Sequence, residues 1–235
     1  MCRFILLIVF AFISKISFAQ FKLNDTLFFV RDSNELYYHK VFIDTNKASI
    51  FYSLVSDFTF NRFDTDTYKS SLSYLYSRKL FPKKQYYKDF PLEWTMLETY
   101  KGNIYVYSPA DYYTHYKIKL TGSVFINWNG EGPEATYIND FQKIDSRTYK
   151  FILTSQLYER RELTIKYLNK DKGIAIFHDK WYNRIIKEPI DYYYMMVDVK
   201  KMRATPLLVN TCDNQKQDEV DFDNVDYKKM FQLIK

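Results

Sequence analysis

From Met96 to Asp179 the chain repeats short runs of alternating apolar and polar residues, and no other property limits its fold so tightly. Successive side chains of a strand point to opposite faces, so a half-buried strand repeats every two residues. Tyr116, Ile118 and Leu120 share one face while Lys117 and Lys119 take the other; Leu163, Ile165 and Tyr167 likewise oppose Glu162, Thr164 and Lys166. Two runs, Val124 to Trp128 and Tyr149 to Leu153, are apolar on both faces. Such strands need a cover outside as well as a core inside, either a helix or the opposite wall of a barrel.

The connectors carry turn chemistry. All five glycines, Gly102, Gly122, Gly130, Gly132 and Gly173, lie where one run ends and another begins, accompanied by Asn129, Asp145-Ser146 and Asn169-Lys170-Asp171. Gly and Asn tolerate the positive φ of tight hairpins. Strand starts near Asn103, His115, Ser123, Ala135, Thr148, Glu162 and Ile174 fall roughly 8 to 14 residues apart, the spacing of an all-β sandwich or barrel. Short hairpin links without helical crossovers exclude a parallel sheet here.

On the N-terminal side, Leu27 to Arg31, Glu35 to Asp44 and Ala48 to Val55 read as three further strands, with Tyr37, His39, Val41 and Ile43 sharing a face of the middle one. Between Asp64 and Leu80 the period changes to that of a helix, with Tyr68, Leu72, Leu75, Tyr76 and Leu80 on one stripe. Asp64 or Asp66 would cap its start, Arg78 and Lys79 suit its end, and Pro82 stops it. The basic-aromatic segment Phe81 to Pro91 reads as a solvated connector anchored by its aromatics. Lys180 to Pro189 reads as an excursion carrying Trp181, followed by a strand from Tyr193 to Lys200. A tail from Pro206 passes through an acidic segment, Asp213 to Asp226, to an amphipathic helix from Tyr227 to Ile234 that docks on the sheet. The expected fold is all-β and mainly antiparallel, a meander barrel or β-sandwich with one helix near 65–80 and a short C-terminal helix.

Met1 to Ala19 has the three parts of a secretory signal peptide: Arg3, the apolar run Phe4 to Ile13, and Ser17-Phe18-Ala19. Ten apolar residues are too few to span a hydrocarbon core, which takes about 20. Cleavage before Gln20 is expected, leaving 20–235 as a single β-rich domain. Cys2 departs with the leader and only Cys212 remains, so no internal disulfide forms. A secreted or periplasmic bacterial location fits that cysteine poverty, although Asn24-Asp25-Thr26 would be a glycosylation sequon elsewhere. Of the formal charge of +6, Arg3 and Lys15 contribute two, so the cleaved chain carries +4, too diffuse for a nucleic-acid partner. The 23 tyrosines suit half-buried sheet faces and ligand-stacking surfaces.

No arrangement of catalytic residues stands out, and no cofactor is called for. His39, His115 and His178 lack zinc-like spacing, so no metal site is assigned. His178-Asp179 is expected to be a solvent-facing pair. Glu131 and Glu134 share one loop beside Trp128, and with Asp179 they form the carboxylate set that glycan hydrolysis would need. Cys212 has no cationic neighbour to activate it, and the acidic tail lacks the glycine and terminal glutamate of a calcium loop.

The leader, the single small domain, the consecutive antiparallel strands and the docking C-terminal segment together resemble the lipocalin-like (calycin) secreted proteins. Leu92-Glu93-Trp94 carries a tryptophan without the glycine of the Gly-x-Trp signature of those proteins. The resemblance implies a cup holding one small, mostly apolar molecule. The expected function is therefore a secreted, non-enzymatic binding protein for a small-molecule or glycan ligand, without a membrane span. Its candidate ligand-binding residues are Tyr105, Tyr107, Trp128, Tyr137 and Tyr149. A secreted glycan-active hydrolase and an envelope structural or protein-interaction factor are the alternatives. A ligand-sized cavity, paired carboxylates in a cleft, or a filled barrel with an exposed apolar patch would separate the three.

Overall fold

A computed structural model describes residues 27–33, 38–110, 115–156, 158–183, 186–213 and 220–234. The expected leader, the Asn24-Asp25-Thr26 triplet, and Asp218 and Glu219 of the acidic segment lie outside the described residues, as does the side chain of Cys212. Twelve strands are described: β1 (Leu27–Ser33), β2 (Tyr38–Asp44), β3 (Glu93–Tyr100), β4 (Asn103–Ser108), β5 (Lys117–Leu120), β6 (Val124–Asn129), β7 (Gly132–Lys143), β8 (Thr148–Thr154), β9 (Arg161–Asn169), β10 (Ile174–Asn183), β11 (Glu188–Asp198) and β12 (Leu207–Asp213). Three helices accompany them, α1 (Ile50–Ser56), α2 (Arg62–Ser77) and α3 (Tyr227–Leu233).

All twelve strands belong to one sheet, in the order β1-β2-β12-β4-β3-β11-β10-β9-β8-β7-β6-β5, and an additional β3–β5 pairing closes eight of them into an antiparallel barrel. Strands β5 to β11 follow one another as a meander, and β3 completes the ring between β11 and β5. The remaining four form a wing, β4-β12-β2-β1, that grows from the same edge of β3. Glu93, Trp94 and Thr95 pair with β5, whereas Leu97 to Tyr100 pair with β4. β12 lies parallel to β4, an arrangement that hairpin links alone did not predict.

Parity decides what each strand buries. Tyr149, Phe151 and Leu153 of β8, Leu163, Ile165 and Tyr167 of β9, Phe177 of β10 and Trp94 of β3 all turn inward and form one cluster. The connector from Phe81 to Pro91 closes that end of the barrel: Phe90 inserts against Trp94, Tyr149 and Phe151, and Tyr87 packs on Phe141. We call this the lower end. The outer faces of β6 and β7, with Val124, Ile126, Ala135 and Tyr137, are covered by α2 through Tyr68, Leu72 and Leu75. That is the cover which the two-sided apolar run at 124–128 required.

Helix α2 begins two residues before the expected Asp64. Its cap is Asn61, whose side chain accepts from the Asp64 amide at 2.9 Å while Asp64 accepts from the Asn61 amide at 3.1 Å, so the aspartate closes a capping box instead. The expected strand from Ala48 to Val55 is a helix, α1. Phe51, Tyr52 and Val55 stand at helical spacing, Ser49 caps the first turn, and β-branched and aromatic residues hid both signals. Tyr52 and Val55 cover one face of the wing, and Val220 and Phe222 of the C-terminal segment cover the other. The expected excursion from Lys180 to Pro189 is also corrected: β10 continues to Asn183 and β11 starts at Glu188, because the inward parity of Phe177 and Asp179 carries on through Trp181. Helix α3 docks on β10 and β11, with Phe231 against His178 and Tyr193.

Gly173, in the β9–β10 turn, has φ +69° and no room for a side chain, since a Cβ would lie 2.9 Å from Asp198 Cβ and Lys201 Cδ. No described helix is long and apolar enough to cross a membrane.

Candidate functional site

The upper end of the barrel differs from the lower. At the start of β9, Arg161 takes the inward position that Leu163, Ile165 and Tyr167 occupy further down, and Asp179 does the same above Phe177 on β10. The two meet in a bidentate ion pair inside the barrel: Nε donates to Asp179 Oδ1 at 2.5 Å and Nη2 donates to Oδ2. Nη1 donates to Asn127 Oδ1 at 2.8 Å and to the Tyr158 hydroxyl at 3.0 Å; Nη2 also reaches the Tyr116 hydroxyl at 3.4 Å. All five guanidinium protons are thus directed at acceptors of the chain itself.

The acceptors are tied together in turn. Tyr116 donates to Asn127 Oδ1 at 2.6 Å, Asn127 Nδ2 donates to Thr136 at 2.9 Å, and Tyr194 donates to Asp179 Oδ2 at 3.3 Å. A buried ion pair persists only when such bonds satisfy its remaining valences. Burial raises the pKa of the Tyr116 hydroxyl to about 12, and burial likewise moves Tyr158 and Tyr194 upward, so these phenols stay neutral donors. Asp179 and the neighbouring phenol oxygens hold the guanidinium of Arg161 charged against burial, well above its ordinary value.

Above this network lies a cavity of about 390 Å³. Its polar floor is Asn127, Arg161 and Asp179. Its walls are Met96, Tyr116, Tyr158, Trp181, Ile190, Tyr192 and Tyr194, and Asn129 and Glu134 complete it. Tyr158 and Trp181 rings pack 5.2 Å apart on one side, and Tyr192 and Tyr194 stack at 5.5 Å on another. Glu134 is half-buried; its Oε1 has no hydrogen-bond partner, and burial raises its pKa. An eight-stranded barrel has an interior just wide enough to be filled by side chains or to hold one small ligand. This one does the first below and the second above.

The sequence-derived ligand candidates are not brought together. Tyr149 points into the barrel, in the filled lower half. Tyr105 and Tyr107 lie on the wing, packed with Leu208 and Phe222. Tyr137 faces outward under α2, and Trp128 faces outward against Phe58 and Phe60 at 5.8 and 5.0 Å between ring centroids. There, in a second cavity of about 570 Å³, Lys117 Nζ lies 4.5 Å from the Trp128 ring and donates to the Asp57 carbonyl. Burial lowers the Lys117 pKa to about 8.

The expected solvent-facing pair His178-Asp179 is corrected as well: neighbours on a strand point to opposite faces. Asp179 is inside the barrel, and His178 is outside, stacked on Tyr193 at 4.0 Å and bonded to Asp191 at 2.8 Å. His39 bonds Asn210 on the wing, and His115 bonds Thr95. Among the described residues no group of three or more His, Cys, Asp or Glu is placed to hold a metal ion. Glu131 is exposed in the β6–β7 turn, while Glu134 and Asp179 line the same cavity.

Sequence reasoning missed Arg161, Asn127, Tyr116, Tyr158, Tyr194 and Trp181. The available signal was a polar residue that continues the inward parity of an apolar face, as Arg161, Asp179 and Asn127 all do. The fold and the site define a closed eight-stranded antiparallel barrel with one aromatic-walled cavity on a polar floor. Comparison with protein-family models, curated proteins and solved structures finds no match for this chain.

Proposed function

We propose that this chain is a secreted or periplasmic, lipocalin-like binding protein that carries one small, mostly apolar molecule in the upper half of its barrel. The observation that carries this reading is the cavity of about 390 Å³, which lies in the range of small-molecule sites and has mostly apolar walls with a few fixed polar groups. The network beneath it is already self-satisfied, so the floor is rigid before any ligand arrives, which lowers the ordering cost of binding. The experiment is to purify the protein after cleavage before Gln20 and compare its native and denatured mass spectra. A small molecule released on denaturation is expected. A bare chain after expression in its own host would overturn the reading.

A second reading, a glycan-active hydrolase, draws on Glu134 and Asp179 lining one cavity. It requires one protonated and one ionised carboxyl group. The raised pKa of Glu134 and the arginine-paired Asp179 supply that pattern. This reading predicts turnover of 4-nitrophenyl glycosides that is lost in Glu134→Gln. The absence of turnover across the common sugars removes it.

A further inference from the structure

Among the residues that line the cavity, Glu134 Oε1 is a buried polar atom without a hydrogen-bond partner. Both Asp179 oxygens are held by Arg161, and the guanidinium has no donor to spare. Ser155 hydrogen-bonds the Glu134 carboxyl group, but Oε1 has no hydrogen-bond partner and the group has no ion pair, and a buried acceptor without a donor is costly to leave so. Arg161 is bound in bidentate fashion to Asp179 and acts on Glu134 only at longer range, so Glu134 is the carboxyl group of the cavity without an ion-pair partner. The terminal torsion of a glutamate is broad and roughly two-fold, so its rotamer alone does not fix the carboxylate plane.

The surroundings of that charge are aromatic faces, Tyr158 with Trp181 and Tyr192 with Tyr194, whose negative quadrupoles attract cations. The chain already places a cation against such faces, since Arg161 Cζ lies 5.6 Å from the Tyr158 ring centroid and 5.5 Å from that of Phe125. We propose that the cavity is selective for an organic ammonium ion on an apolar body, with Glu134 as its counter-ion. This inference rests on the binding reading above. A carboxylate ligand would set a second anion beside Glu134 and find the arginine donors spent. A purely apolar ligand would bury the Glu134 oxygen without a donor. An ammonium supplies the missing charge and the missing hydrogen bond at once, while Met96 and Ile190 receive the hydrocarbon.

The test uses three matched probes, 2-phenylethylamine, 2-phenylethanol and 3-phenylpropanoate, titrated calorimetrically into the leader-cleaved protein at neutral pH. The amine should bind at least about tenfold tighter than the alcohol or the acid. Glu134→Gln should erase that margin by weakening the amine far more than the alcohol, and Trp181→Leu should also weaken the amine more than the alcohol, which keeps the test intact should the first variant fold poorly. Equal or tighter binding of the alcohol or acid would overturn the ammonium assignment and leave the binding reading standing. Failure of all three probes to bind, together with a bare chain in the mass spectra, would overturn both.

Discussion

The two halves of the barrel interior are built by the same strands with the same alternation, yet they solve opposite problems. Below, Phe90, Trp94, Tyr149, Phe151, Tyr167 and Phe177 pack together and fill the space. Above, Arg161, Asp179, Asn127 and three tyrosine hydroxyls consume one another's hydrogen bonds and keep about 390 Å³ open. Apolar side chains gain by closing on one another, because every void forfeits contacts. A saturated polar network gains nothing from further collapse, and so it serves as a floor. Filling a barrel and holding it open are thus set by what stands at the inward positions near one end of β6, β9 and β10.

The largest predicted effect comes from breaking the upper half. Arg161→Ala strands Asp179 as a buried unpaired carboxylate and should cost about 3–5 kcal/mol in denaturant unfolding. The double variant Arg161→Leu, Asp179→Leu should recover most of that loss, because apolar pairs of similar volume often match or exceed buried ion pairs. It would convert the upper half to the chemistry of the lower. If the double variant is as unstable as the single, the two halves are not interchangeable in this way.

Next comes acid, which probes the outer face of the same barrel. Burial holds the His115 pKa down to about 3, against an ordinary 6.5. The folded state therefore favours the neutral ring, and the unfolded chain takes up the proton first. The stability contributed by the neutral ring is complete above pH 6.5 and is lost as pH falls toward 3, at about 1.4 kcal/mol per pH unit. Urea midpoints between pH 7 and 4 should fall in the native protein and fall less in His115→Gln. Parallel curves for the two proteins would show that His115 is not the source.

Close behind is the lower half. Phe151 is fully buried, and Phe151→Ala should cost about 3 kcal/mol or more, with a cavity that the surrounding rings cannot close. Ligand affinity in the upper half should hardly change, since the intervening network is rigid; a large change in probe binding would show that the halves are coupled.

The smallest effects give the sharpest contrast, because they have opposite signs. Tyr194 donates to Asp179, so Tyr194→Phe should destabilise by about 1–2 kcal/mol. The Tyr149 hydroxyl is buried without a partner, so Tyr149→Phe should be neutral or stabilising by up to about 1 kcal/mol. Thermal unfolding of both variants checks the pair, and losses of the same sign would erase the distinction between the halves.

The barrel was legible in the sequence because alternation and turn chemistry are local. Val124 and Ile126 signalled a cover on their second face, which is α2, whereas Trp128 is covered by Phe58 and Phe60. Ala48 to Val55 was not legible as a helix, since seven residues rich in aromatic and β-branched types satisfy either period. The wing was hidden for a different reason: β12 reaches β2 and β4 across a long stretch of chain, and no local pattern encodes that pairing. The cavity was half legible. Glu134 and Asp179 were visible as carboxylates, but Arg161 was read as neither inward nor polar-on-an-apolar-face, and aromatic content drew attention to Tyr105, Tyr137 and Trp128, whose parity turns them away from the interior.

Closure of the ring depends on Glu93, Trp94 and Thr95 pairing with Lys119, Ile118 and Lys117, the shortest ladder in the barrel, reinforced by a Glu93–Lys119 salt bridge at 2.9 Å. Beyond Met96, whose amide still donates to the Tyr116 carbonyl at 3.2 Å, the same strand edge serves the wing, so the ladder cannot lengthen in that direction without dismantling β4. Amide exchange should accordingly begin along this fastening while the β9–β10–β11 wall is still protected. Trp94 carries this seam and also packs against Phe90, so parting there would loosen the filled half first and leave the polar floor above it in place.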